Sequence, residues 1–253
     1  MKSFHKLIIL MLFLSLSLNV LWADTNDRRV TFSEDLNSDG SKEDITVTFT
    51  GEKDRDVHDY IINIDSEEYK GSFPYDGVVS AEIIDIDESD GQKEILVRFD
   101  GETDDVLESF FIYDSSIKKI GEVWGSSVSE ILGDGFITIF QWMGFWSRDA
   151  RYKLERPALV PIVEEYKLDI KSNVAEIMVL RTAPSAGSRI SATLGAETKI
   201  ELQKVTIVSD KCFTSEGYEH DCEWYYIESE DGESGWIEYG NLIKGTMDLP
   251  WAG

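Results

Sequence analysis

Histidine is nearly absent from this chain: His5, His58 and His220 are all it has. No Gly-x-Ser-x-Gly elbow occurs anywhere in it, and neither His58 nor His220 has a recognisable nucleophile beside it. Serine–histidine acyl transfer therefore has no support in the sequence. Basic residues are scarce too, with 24 Lys and Arg against 49 Asp and Glu, a formal net charge of −25. A field of that sign repels nucleic acid and attracts divalent cations and basic partners, so nucleic-acid binding is excluded. The excess is concentrated early, with 28 acids and 10 bases between Asp24 and Val123. So many acids make accidental carboxylate pairs unavoidable, and a pair alone is no argument for a hydrolase.

Long apolar runs are limited to one, "LIILMLFLSLSLNV" (Leu7 to Val20). Lys2 and Lys6 precede it and "LWA" closes it at Ala23, the basic–apolar–small order of a signal peptide over 1–23. The run falls short of the roughly 20 residues a spanning helix needs, although an uncleaved anchor is the other reading. The expectation is an exported chain, periplasmic or secreted, with no stable membrane anchor once the signal is cut. Cysteine is limited to Cys212 and Cys222, inside "DKCFTSEGYEHDC". In an exported protein a close pair points to a disulfide that pins a loop. With His220 between them a metal is the alternative, but three ligands are one short of a closed zinc site.

Helical spacing is missing as well. "YKLERPALVPIVEEYKL" is broken by Pro157 and Pro161, and no other window carries caps and a 3.6-residue apolar period. Alternation takes its place: "ITVTFTG", "DYIINID", "KEILVRFDG", "ESFFIYD" and "GFITIFQWM" read as strands bounded by Gly, Asp and Ser. In the last of these, alternation puts Phe136, Thr138, Phe140 and Trp142 on one face, with Phe136 and Phe140 read as core. Phe140, Trp142, Phe145, Trp146 and Tyr152 are otherwise a stacking platform for sugars. "DLNSDGSKEDITVTFTG" from Asp35 returns fifty residues later as "DIDESDGQKEILVRFDG" from Asp85, with a remnant at Asp134 and Gly135. Repeats of this period are blade-like, and so few copies form an open stack instead of a closed propeller.

The two acidic loops resemble those of the FG-GAP or VCBS repeats of extracellular bacterial proteins, in which aspartates cage calcium between strands. An EF-hand does not fit, because its twelfth position is Thr46, inside a strand. In the shorter loop Asp35, Asn37 and Asp39 offer side-chain oxygens, Gly40 permits the turn, Ser41 offers its carbonyl and Glu43 closes the ring. Hard oxygens suit Ca²⁺ better than Zn²⁺ or Cu²⁺; the alternative is a solvated turn without metal. In the second loop Asp85 and Asp87 are in place, while Ser89 pushes Asp90, Gly91 and Glu94 one residue late. That loop either bulges to recover the cage or keeps only the turn.

The C-terminal third, "VLRTAPS", "ISATLGAETKIEL" and "WYYIESEDGESGWIEYGNL", resembles the bacterial SH3 domain, a small β-barrel. Arg181, Pro184, Gly195, Gly235, Trp236 and Leu242 stand where that family has its loop, strand and Gly-Trp features. The resemblance implies contact with a cell-wall or peptide ligand through Arg181, Pro184, Ser185 and aromatic residues such as Trp224, Tyr226 and Trp236; the other reading is that Trp224 and Trp236 fill the barrel, which is the one preferred for Trp236.

The expected organisation is mainly β. A signal peptide (1–23) is followed by an acidic β-repeat domain (24–155), a linker (156–172), an SH3-like barrel (173–245) and a tail (246–253). The expected function is an exported, non-catalytic binding protein with calcium as a structural ion. The alternatives are a cell-envelope hydrolase with an unrecognised acid pair, or an adhesin for host matrix.

Overall fold

The structure, a computed structural model, describes residues 28–50, 58–73, 77–101, 106–207, 213–214, 217–218 and 222–251. The expected signal peptide, Cys212, His220 and the side chain of His58 lie outside the described residues, so the expected disulfide has one partner there.

Three four-stranded antiparallel sheets follow one another, each with its strands in chain order. The first blade is β1 (Arg28–Glu34), β2 (Glu43–Thr50), β3 (His58–Ile64) and β4 (Glu67–Phe73). The second is β5 (Gly77–Ile84), β6 (Glu94–Gly101), β7 (Val106–Tyr113) and β8 (Ile117–Gly125). The third is β9 (Glu130–Ile131), β10 (Phe136–Trp142), β11 (Ser147–Glu155) and β12 (Ala158–Pro161). The open, mainly β repeat expected from the sequence is what is observed, and its third copy is a full four-stranded sheet.

Burial patterns follow from stacking. Ile45, Val47 and Phe49 alternate with threonines along β2 and pack with Ile95, Val97, Phe99 and Phe111 of the second blade. The second blade has neighbours on both sides. Leu96, Phe110 and Ile112 face the third blade, where Ile137, Ile139, Ala150 and Tyr152 meet them. Residues 94–97 of β6 are consequently buried in an unbroken run, as expected of a strand covered on both faces, and not in the one-sided alternation expected of "KEILVRFDG". Gly125 lets the second and third blades approach: a Cβ there would lie 2.3 Å from Ile139 Cγ1.

The expected linker is mostly strand. Pro161 ends β12, an edge strand where a missing N–H is tolerated. Residues 165–174 form β13 (Glu165–Val174), which pairs with β16 (Lys199–Ile207). Only Ile162–Glu164 separate the last blade from the C-terminal sheet. That sheet adds β14 (Met178–Arg181), β15 (Ile190–Leu194), β19 (Glu223–Ser229), β20 (Ser234–Glu238) and β21 (Thr246–Met247). Between and after these strands lie a separate two-stranded hairpin, β17 (Phe213–Thr214) and β18 (Gly217–Tyr218), and a short helix, α1 (Tyr239–Gly245). Val174, Met178, Leu180, Leu194, Ile200, Leu202, Val205, Tyr225, Ile227 and Ile237 share one core.

The β10–β11 hairpin tip is part of that same core. Met143, Phe145 and Trp146 are buried in it. Trp146 Nε1 donates a 2.9 Å hydrogen bond to Tyr225 Oη, which in turn donates to the fully buried Glu223 carboxylate. The aromatic run is therefore divided. Phe145 and Trp146 join the third blade to the C-terminal sheet, and Tyr152 is buried inside the blade stack. Phe140 and Trp142 face outward, 40 % and 37 % exposed, because Ile137 and Ile139 take the inward side of β10. The core reading of Phe136 and Phe140 was the wrong phase of a correct alternation.

Candidate functional site: the acidic loops and the outer face of the C-terminal sheet

Each acidic loop joins the first and second strands of a blade. Asp35, Leu36, Asp39, Gly40, Lys42 and Glu43 correspond to Asp85, Ile86, Asp90, Gly91, Lys93 and Glu94. Leu36 and Ile86 are buried plugs, and Glu43 and Glu94 are buried beneath the loops. Each glutamate accepts the backbone N–H of its plug, at 2.8 Å for Leu36 and 3.0 Å for Ile86. The plug carbonyl accepts from the next blade: Lys93 N to Leu36 O at 3.0 Å, and Gly135 N to Ile86 O at 2.7 Å. Gly40 and Gly91 have φ of +89° and +71°, the left-handed region glycine adopts without strain. The loops are thus folded by their own sequence and stitched to one another.

In the first loop, short side chains cap backbone N–H groups: Asn37 Oδ1 accepts from Asp39, Asp39 Oδ1 from Ser41, and Asp35 Oδ2 from Gly40. Asp35 Oδ1 is buried with no hydrogen-bond partner. Carboxylate oxygens of Asp35, Asp39 and Glu43 lie within 4.8 Å of one another. Asn37, Asp39, Ser41 and Glu43 line a cleft of about 540 Å³ together with Lys42, Asp65 and Asp114. The Tyr113 hydroxyl beside it is held above its ordinary value by desolvation, then by the charges of Asp65, Glu43, Glu67 and Asp39. All five residues expected at this site therefore stand around one loop, and the charge there suits a hard cation.

The second loop has the same frame and a different occupant. Ser89 is the extra residue; its N–H and hydroxyl both bond Asp87 Oδ1, at 3.0 and 2.6 Å. Those bonds draw the Asp87 carboxyl below its ordinary value. Arg156, from the turn between β11 and β12, places Nε 2.7 Å from Asp90 Oδ2 and an Nη 2.6 Å from Glu94 Oε1. Asp85 keeps a buried Oδ1 without a partner, and burial followed by the Asp90 and Glu88 charges raises its pKa. Arg156 was invisible as a member of this site in the sequence, 66 residues from Asp90.

Of the expected ligand residues of the C-terminal sheet, Arg181 and Tyr226 fall in one row across adjacent strands, whereas Trp224 is buried and Pro184 and Ser185 lie in the loop. Arg181 donates to Ser188 O at 2.7 Å and so closes its own loop, with Pro184 and Ser185 at the tip. Trp224 is buried, whereas Trp236, expected to fill the barrel, is half-buried on the outward face, with Ile237 pointing in. Tyr226 sits edge-on to Trp236 at 5.3 Å. Lys204, not anticipated from the sequence, lies 5.4 and 5.2 Å from these two rings and 2.9 Å from Glu165. Strand register lines up Lys167, Lys204, Tyr226, Trp236 and Arg181 across five adjacent strands.

Comparison with protein-family models, with curated proteins and with solved structures finds no match to this chain. Its likeness to FG-GAP or VCBS repeats and to the bacterial SH3 domain therefore rests on the motifs quoted above.

Proposed function

We propose that this is an exported, non-catalytic binding protein whose C-terminal sheet contacts a cell-wall or peptide ligand and whose first blade holds a structural calcium ion. The observation that carries the binding role is the row Lys167, Lys204, Tyr226, Trp236 and Arg181. Aromatic faces bordered by cations, half-buried in an otherwise strongly acidic chain, suit a ligand with both apolar and anionic groups. Against a pairing with nucleic acid stands the charge of the rest of the molecule.

The calcium role is supported by the Asp35, Asp39 and Glu43 oxygens and the unpartnered Asp35 Oδ1. Exported modules need only weak sites, with dissociation constants of about 10⁻⁴ to 10⁻³ M.

The test is to incubate the protein with purified peptidoglycan and to measure retention and released fragments, with and without chelator. Saturable retention without fragments, weakened in Tyr226→Ala and Trp236→Ala, is the expected result. Release of soluble fragments would favour a hydrolase, and no retention on peptidoglycan would remove the cell-wall ligand.

A further inference from the structure

Two equivalent acidic loops in one chain face different neighbours. The turn between the third and fourth strands of a blade lies over the acidic loop of the preceding blade. In the third blade this turn carries Arg156, whose guanidinium reaches Asp90 and Glu94. In the second blade it carries Asp114, which lines the first loop's cleft together with Asp39 and Glu43, the counterparts of Asp90 and Glu94. One site thus receives a cation from the chain and the other receives a further acid.

Local lysines do not redress that difference. Lys93 lies 2.6 Å from Glu34 at the end of β1. Lys42 lines the first loop's cleft, yet it is largely exposed, comes only within 4.0 Å of Glu34 and pairs with none of Asp35, Asp39 and Glu43. Among the described residues, Asp35, Asp39 and Glu43 form no ion pair. Glu94 is fully buried, and a carboxylate removed from water needs a compensating charge or a proton. The guanidinium meets that need with two separate hydrogen bonds, one to each acid.

We propose that Arg156 is the built-in cation of the second acidic loop, standing where the first loop is open to a divalent ion from solution. One repeat is then dependent on metal and the next independent of it, with the last blade fastened to the middle one by the same charge. The contrast rests on the calcium reading of the first loop; the role of Arg156 in the second does not.

The experiment measures the thermal midpoint of the full mature chain in chelator and across millimolar calcium. The native protein should respond, and Asp39→Asn should abolish the response. Adding Arg156→Gln to Asp39→Asn should restore a calcium-dependent rise of about 5 °C or more, and adding Asp90→Asn should remove it again. An unresponsive Asp39→Asn/Arg156→Gln chain overturns the inference. A native protein that ignores calcium overturns the first-loop reading alone, and a response gained by Arg156→Gln would still uphold the second. If Arg156→Gln prevents folding, Glu94→Gln in the same chain should restore it, because the acid that required a cation is gone. Failure of that rescue would make Arg156 a packing residue and overturn the inference.

Discussion

Glu94 shows how one carboxylate can serve both folding and charge balance. Burial pushes its pKa above the ordinary 4.5, while the Ile86 N–H and Arg156 pull it back and Asp90 pushes it further up. A group that binds its proton more tightly folded than unfolded stabilises the fold most below its ordinary pKa. That contribution falls as pH rises through 4.5 toward the raised value. Glu94→Gln should therefore flatten the stability profile in the interval just above pH 4.5, measured as denaturation midpoints at stepped pH. An unchanged slope would mean that another group titrates there. Leu36, the buried plug of the first loop, makes a complementary case without charge. Leu36→Ala should cost about 2–5 kcal/mol, read by denaturant unfolding, and a loss under about 1 kcal/mol would show that the loop collapses onto the gap.

Among the elements, the β10–β11 hairpin matters most to the connection between the two halves. Trp146→Ala should cost about 3–5 kcal/mol and Trp146→Phe about 1–3 kcal/mol, the latter for leaving the buried Tyr225 and Glu223 network short of a donor. Both should shift a single unfolding transition shared by the third blade and the C-terminal sheet. Two separate transitions, only one of them moved by Trp146→Ala, would show that the hairpin does not couple them. How far such elements could be read from sequence varied with their surroundings. Strand β2 was plain, because Ile45, Val47 and Phe49 alternate with threonine beside one apolar neighbour. The unbroken apolar run of Ile95 to Val97 signals cover on both faces, yet it reads as alternation when the neighbouring blades are unknown. Strand β10 carries large apolar residues on both faces, so its period was legible and its inward side was not. Strand β13 was hidden behind Pro157 and Pro161, which mark a turn and an edge strand and made the residues after them read as a linker. Helix α1 has seven residues and no side-chain cap, which leaves little for a pattern to register. The loop acids were countable from their glycines; Arg156 belongs to the site only because a third blade exists.

The whole molecule is governed by like charge and by serial contact. At a formal −25, self-repulsion should be eased by screening, so its thermal midpoint should climb as sodium chloride is raised from low to physiological ionic strength. A midpoint insensitive to salt would mean that the acids are already neutralised locally. The plug-carbonyl bonds, Lys93 N to Leu36 O and Gly135 N to Ile86 O, link first blade to second and second to third. Such a row behaves as a chain of nearest neighbours. Its far end is moored to the C-terminal core through Phe145 and Trp146, while the described apolar contacts of the first blade run to the second alone. Fraying should begin at that free end: amides of β2 and β3 should exchange with deuterium sooner than those of β10 and β11. A cation in the first loop would then act as the stopper on an unravelling thread, slowing exchange throughout β1 to β4 while leaving the moored end as it was.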